Sequence, residues 1–253
     1  MFAELIPNPA VFWSGLLALA RVAGVVALVP VPGWRMAIEP ARIVLAFALA
    51  VALFPFWPEP PSQTPGLGQM AGWILMESAF GLVLGLGVSL LIEMAVLAAQ
   101  MAGLQAGYGY ASTIDPTSEA DSSILQILAH LCSSLLFFSF GMEQQLLRAL
   151  ARSFQKQPPG QWWPTGAHME SIVALGADMW IGALRLALPV VALLFLVDLS
   201  LALLSRIHAQ LQLMTLAFPA KMLVTLAMFA MLAGALPVLF RQQAERTVAA
   251  WAR

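Results

Sequence analysis

"MAGWILMESAFGLVLGLGVSLLIEMAVLAAQMAGLQ" occupies residues 70–105, and its only charged residues are Glu77 and Glu93. An apolar run of this length without a proline predicts a helix rather than a strand. At 1.5 Å per residue the helix would be roughly 54 Å long, whereas a bilayer's hydrocarbon core is about 30 Å thick. We therefore expect it to tilt, to kink or to extend beyond the membrane.

Small and acidic side chains recur every fourth residue along this helix, at Glu77, Gly81, Gly85, Ser89 and Glu93. Residues at that spacing lie on one face, and two glycines four apart let another helix approach closely. A charge at the centre of a spanning helix costs about 2.5–3.5 kcal/mol. The face can pack inside this chain's own bundle, or it can face partner subunits or an aqueous path. We predict that it packs against partners.

The whole chain has the composition of a membrane protein. Of its 253 residues, 60% are hydrophobic and 10% are charged, whereas soluble domains carry about 25% charged residues. The net charge of −1 gives no basic tail for nucleic acid. The single Cys132 excludes an internal disulfide, and the three histidines show no metal-ligand spacing. With no phosphate-binding glycine motif either, we expect no metal, no cofactor and no enzymatic activity.

Apolar segments divided by proline-rich breaks run along the whole chain. Their approximate bounds are 10–32, 40–57, 70–105, 122–152, 171–204 and 214–240. They predict an all-α, multi-helix integral membrane protein of long kinked helical hairpins with about six hydrophobic segments, forming a single domain over residues 1–253. We expect the segment 122–152 to be one helix with a polar stripe. That stripe consists of Gln126, His130, Ser134, Gly141, Gln145, Arg148 and Arg152.

The linker "GYGYASTIDPTSEADSSI" (residues 107–124) contains acidic residues and no Lys or Arg. If each of the six segments crossed the membrane once, with the N-terminus outside, more basic residues would lie outside than inside, against the positive-inside rule. The balance is restored if the third and fourth segments with their linker make one net crossing. The linker would then fold back into a water-filled or protein-lined space. Asp115-Pro116 also has the pattern of a plain helix start, and both roles can hold together.

Four stretches together resemble the FliR family of the flagellar type III export apparatus, which is related to a subunit of virulence injectisomes. Each one matches the family only weakly, but they occur in the family's order over nearly the whole chain. They are "PGWRMAIEPARIVLAFALAVALFP" (32–55), "GYGYASTIDPTSEADSSIL" (107–125), "FGMEQQLLRALARSFQKQPPG" (140–160) and "DLSLALLSRIHAQLQLMTLAFPAKMLV" (198–224).

The resemblance implies a subunit of an export gate in the bacterial inner membrane, at the flagellar basal body. The partners it implies are FliP-like and FliQ-like chains in one complex, FlhB-like and FlhA-like components, unfolded export substrates and membrane lipid. Residues 106–121 would form a plug-like loop in the closed pore. The loop residues to test are Gly107, Tyr108, Gly109, Tyr110, Asp115 and Pro116.

Further residues in the matched stretches are candidates for subunit packing. They are Arg148, Asp198, Arg206, Gln210, Pro219 and Lys221, in addition to the acidic and small residues of the third segment. For Asp198, Arg206 and Lys221, anchoring at the membrane edge is the alternative to an ion pair or a subunit contact. The function has alternatives as well. They are the equivalent injectisome subunit, a self-contained small transporter and, weakest, an intramembrane enzyme.

Overall fold

The computed structural model describes residues 9–29, 40–57, 66–108, 124–158, 160, 162–207, 213–232 and 234–252. Within these ranges the regular structure is helical, as the apolar segments predict. The helices are α1 (Pro9–Leu28), α2 (Pro40–Ala52), a 3₁₀ turn (Phe54–Phe56), α3 (Leu67–Ala106), α4 (Ile124–Ser139), α5 (Met142–Lys156), α6 (Gly166–Ile207), α7 (Leu213–Leu232) and α8 (Leu236–Ala252). The prediction of an all-α membrane protein is confirmed.

Within the described residues, α1, α3 and α6 are long and apolar enough to cross a membrane. Two bent pairs, α4 with α5 and α7 with α8, raise the number of candidate spans to five if each pair counts as one. Helix α2 is apolar but shorter. These counts agree with a multi-pass protein, and the direction of each crossing remains a prediction from the basic residues.

The prediction of one helix over 122–152 is wrong. The chain turns at Gly141, whose φ of 63° and ψ of 29° lie in the left-handed region. A glycine adopts this conformation without the steric cost that a Cβ imposes. The seven-residue polar stripe is therefore divided between α4 and α5. Segment 214–240 is likewise two helices, and α6 begins earlier than its predicted start at residue 171.

The described helices fall into two compact units. Unit 1 comprises residues 1–90, 137–175 and 246–253, and unit 2 comprises residues 91–136 and 176–245. In unit 1, α1 is buried along Leu17, Ala18, Val22 and Val25, at the spacing of one helix face. The core of unit 2 is rich in alanine, and small side chains let its helices approach closely. That core includes Ala95, Ala98, Ala99, Ala129, Ala183 and Ala187.

Candidate functional sites

A fully buried ion pair lies in unit 1. Arg21 of α1 donates from Nε to Glu77 Oε2 of α3 at 2.5 Å, and both side chains are 0% exposed. The remaining guanidinium nitrogens donate to Ser153 Oγ at 2.9 Å and to the carbonyl oxygen of Gln157 at 3.1 Å. The arginine therefore joins α1 to α3, to α5 and to the residue that follows α5.

Aromatic rings and a glycine complete the surroundings of this pair. The guanidinium carbon of Arg21 lies 4.6 Å from the ring centre of Phe80 and 4.7 Å from that of Phe154, within range of cation–π attraction. The backbone nitrogen of Gly160 donates to Glu77 Oε1 at 3.2 Å. Both carboxylate oxygens thus accept a hydrogen bond, and this is the condition under which a buried ion pair is tolerated.

The contact between Arg21 and Glu77 was missed from the sequence. Glu77 was singled out as a charge in an apolar helix, but no role was predicted for Arg21. The signal was present, because two opposite charges at the centres of apolar helices each need a partner. They lie 56 positions apart, and sequence spacing alone does not pair residues at that distance.

Glycines bring α1 and α3 into backbone contact beside the ion pair. A Cβ atom on Gly81 would lie 2.0 Å from the carbonyl oxygen of Arg21, and one on Gly85 would lie 2.7 Å from that of Val25. Gly24 of α1 makes the reciprocal approach, since its Cβ would lie 2.4 Å from the carbonyl oxygen of Ser78. This part of the predicted glycine face therefore meets α1 of the same chain.

The rest of that face is more accessible. Ser89 and Glu93 are half-buried. Of the five residues that recur at every fourth position, these two have surface left for contact with another chain. Contact of this face with partner subunits stays a prediction, and it now applies to Ser89 and Glu93 more than to Gly81 and Gly85.

A second ion pair lies in unit 2. Lys221 Nζ is 2.8 Å from Asp198 Oδ1 and 3.0 Å from Oδ2. Gln105 Nε2 donates to the same carboxylate at 3.3 Å. The Lys221 side chain is 13% exposed and that of Asp198 is 40% exposed. The carboxylate thus joins the end of α3 to α6 and α7 while keeping part of its surface open.

The first residues of the predicted plug loop are held beside this pair. The Tyr108 hydroxyl donates to the carbonyl oxygen of Met222 at 3.1 Å. Gly107 has a φ of 89°, and a Cβ there would lie 2.9 Å from the ring of Phe218. A side chain at position 107 would therefore be strained and crowded. The position at which the chain leaves α3 is fixed by contacts with α7.

The remaining predicted site residues are placed as follows. Arg148, Arg206 and Pro219 are exposed, and Pro219 lies inside α7. The loop residues Gly109, Tyr110, Asp115 and Pro116 lie outside the described residues, as does Gln210. Their assignments to the loop and to subunit packing stay predictions.

The described part of the chain was predicted to hold no metal. Its His, Cys, Asp and Glu residues form no group of three able to hold a metal ion. Unit 2 contains a cavity of about 240 Å³ lined by apolar side chains, among them Ala98, Cys132, Leu186 and Phe229.

Known proteins match this chain over most of its length. The family described as "Bacterial export proteins, family 1" matches residues 12–247. "Flagellar biosynthetic protein FliR" of Bacillus subtilis (strain 168) is 30% identical over 90% of this chain and 88% of its own length. The Escherichia coli (strain K12) protein of the same name is 26% identical over 87% of this chain and 83% of its own length.

The apolar helices and the match to the bacterial export family together define an all-α membrane protein of the bacterial export class. Within that class, the chain belongs to the FliR family. The resemblance of its four stretches to that family is therefore confirmed.

Proposed function

We propose that this chain is a non-enzymatic subunit of the flagellar type III protein export gate. The observation that carries the proposal is the near full-length match to proteins named Flagellar biosynthetic protein FliR, which extends over 83% and 88% of two relatives. A shared loop or a single helix would not produce such coverage. The apolar helices α1, α3 and α6 support a multi-pass membrane location, and the proposal places the chain in the inner membrane at the flagellar basal body.

The partners in this proposal are FliP-like and FliQ-like chains, which with this chain surround a pore for unfolded flagellar proteins. FlhB-like and FlhA-like components would act alongside them. Support from the chain itself comes from helix length. At 1.5 Å per residue, the 40 residues of α3 and the 42 of α6 give helices of about 60 Å, roughly twice the thickness of a hydrocarbon core. The parts of α3 and α6 that extend beyond the hydrocarbon core must be surrounded by other proteins or by water.

The plug-like loop, residues 106–121, is part of the same proposal. The contacts of Gly107 with Phe218 and of Tyr108 with Met222 support it, because they fix the start of the loop. Deleting residues 107–115 should leave the complex assembled but permeable to small ions. Ion conductance of cells producing the deletion variant measures this. Conductance equal to that of the wild type would remove the plug assignment.

A gene deletion tests the flagellar role. Cells without this chain should build no hook or filament and should not swim, and the full-length gene should restore both. A deletion strain that still swims would overturn the proposal. The injectisome alternative is tested by the same strain, because it predicts normal swimming with lost secretion of virulence proteins. The flagellar reading is favoured by the names of the relatives.

A further inference from the structure

The cavity in unit 2 is bordered by side chains from five helices, α3, α4, α6, α7 and α8. Alanine occupies the three positions that α3 contributes to its wall, at Ala95, Ala98 and Ala102. This spacing places the three residues on one face of the helix. A larger side chain at any of these positions would occupy part of the cavity, so the small residues of α3 leave the space open.

The cavity has a buried floor and a mouth at the surface of unit 2. On the floor, Ala98 is 5% exposed and Val190 is 1% exposed. Other lining residues are accessible, since Leu128 is 39% exposed, Leu226 is 48% exposed and Cys132 is exposed as well. These three residues of α4 and α7 mark the mouth, where the cavity opens to its surroundings.

The surface around the mouth is apolar. On α4, Leu131 is 40% exposed and Leu135 is 64% exposed, and on α7 Leu223 is 69% exposed. Each lies within one helical turn of a mouth residue on the same helix. Helices α4 and α7 both belong to bent pairs that are apolar enough to form a membrane span. A lipid tail beside this surface can therefore enter the cavity without crossing water.

The chemistry of the wall selects an apolar occupant. Apart from the Cys132 thiol, a weak hydrogen-bond donor, the described residues of the wall contribute only Ala, Val, Leu and Phe side chains. A bound water needs about two to four polar partners, and an ion or a lipid headgroup also needs polar or charged partners. A hydrocarbon chain needs none, and it gains dispersion contacts with side chains that border the cavity.

The volume of the cavity suits part of one acyl chain. An apolar cavity of about 150 Å³ takes up benzene, a ring of six carbons. In the same proportion, a cavity of about 240 Å³ would hold roughly ten carbons of a chain. The tail of a bilayer lipid is longer than this, so its end would be enclosed while the rest of the molecule stays in the membrane.

We propose that the cavity of unit 2 binds the tail of a membrane lipid, which enters between α4 and α7 and reaches the alanines of α3. The inference goes beyond the export function, because it requires only the membrane location and the packing of unit 2. The bound tail fills space that the small side chains of α3 leave open, and it thereby stabilises the packing of the surrounding helices.

A photoreactive lipid tests the site. Inner-membrane vesicles from cells that produce the tagged chain with its native partners are supplied with phosphatidylglycerol carrying a diazirine at the end of one acyl chain. After illumination, mass spectrometry of peptides locates the adducts. We expect adducts on Ala95, Ala98 or Ala102, which are at most 5% exposed and therefore out of reach of the surrounding bilayer. Leu135, which is exposed, should be labelled as well.

A variant that fills the cavity from its floor sharpens the test. Ala98→Leu should reduce the adducts on Ala95 and Ala102 at least about fivefold, because a close-packed interior cannot hold both the new side chain and the lipid tail. Labelling of Leu135 should not change. The matched control is Ala202→Leu, which adds the same side chain at an exposed position of α6 outside the cavity wall. It should be labelled like the wild type.

Two results would overturn the proposal. One is a wild-type chain with adducts on exposed residues only, which is also the result expected if another protein covers the mouth. The other is labelling of Ala95 and Ala102 that Ala98→Leu leaves unchanged. The wild-type measurement decides the first point whether or not any variant folds. The swimming of a deletion strain tests the export function separately, so failure of one proposal leaves the other standing.

Discussion

The Arg21–Glu77 and Lys221–Asp198 ion pairs differ in their surroundings. Arg21 and Glu77 in unit 1 are 0% exposed and lie among aromatic rings, with further hydrogen bonds to both side chains. Lys221 and Asp198 in unit 2 are 13% and 40% exposed, with one further hydrogen bond from Gln105.

The comparison shows that burial, more than distance, decides what an ion pair does. Removing one partner of a buried pair leaves an uncompensated charge, which costs about 3–5 kcal/mol. A pair that water still reaches contributes about 0–1 kcal/mol. We therefore interpret the Arg21–Glu77 pair as a fixed structural connection of unit 1. The Lys221–Asp198 pair is a weaker contact that another chain can still reach.

The largest effect should come from Glu77→Leu. This change leaves the Arg21 guanidinium buried without its carboxylate, so we expect a loss of about 3–5 kcal/mol in stability and little folded protein. Thermal unfolding in detergent, followed by circular dichroism, measures it. The change in unit 2 that also removes the carboxylate charge is Asp198→Asn. If the two variants unfold at the same temperature, the contrast between the pairs is wrong.

The double variant Arg21→Met, Glu77→Leu tests whether the loss of stability comes from the unpaired charge of Arg21. Replacing both members of a buried ion pair by apolar residues of similar size is often neutral or stabilising. We expect the double variant to recover most of the stability that Glu77→Leu loses. A double variant no more stable than the single one would show that Ser153 and the other hydrogen-bonded neighbours cannot tolerate the loss of the arginine.

Gly81→Ala should cost about 1–3 kcal/mol, because its new methyl group would overlap the carbonyl oxygen of Arg21 and force α1 away from α3. Gly72→Ala on the same helix is the control, since no atom lies within 4 Å of a Cβ at that position. It should be neutral or stabilise the chain by up to about 1 kcal/mol through helix propensity. Unfolding temperatures compare the two. Equal stability would contradict the close contact of α1 with α3.

The smallest effects belong to unit 2. Asp198→Asn should cost about 1 kcal/mol or less, and Tyr108→Phe should cost about 0.5–1.5 kcal/mol through its hydrogen bond to Met222. The difference between Asp198→Asn and the wild type should shrink at about 1 M salt, where the Debye length is about 3 Å. Unfolding temperatures at low and high salt measure the stability loss of each variant and its change with salt. A salt-independent loss would show that Asp198 is more buried than in this structure.

The parts of the fold that produce a local pattern in the sequence could be predicted from it. Apolar length predicts α1, α3 and α6, because about 20 apolar residues suffice to cross a membrane. The break at Gly141 was not predicted, since the apolar run continues through it and a left-handed glycine leaves no signal in hydropathy. Its φ of 63° is visible only in the structure.

The candidate site was predictable in part. Glu77 and Gly81 were singled out from helical spacing, but their partner, α1 of the same chain, depends on how the chain folds back. The same holds for Lys221 and Asp198, for which an ion pair was one possible role and which are 23 residues apart. Spacing shows which residues share a helix face, and only packing shows what that face meets.

The most direct test of the export-gate proposal is the native mass of this chain after co-expression with the FliP-like and FliQ-like chains. We predict one large complex that contains all three proteins. A stable particle that contains this chain alone would contradict the proposal and would indicate a self-contained transporter.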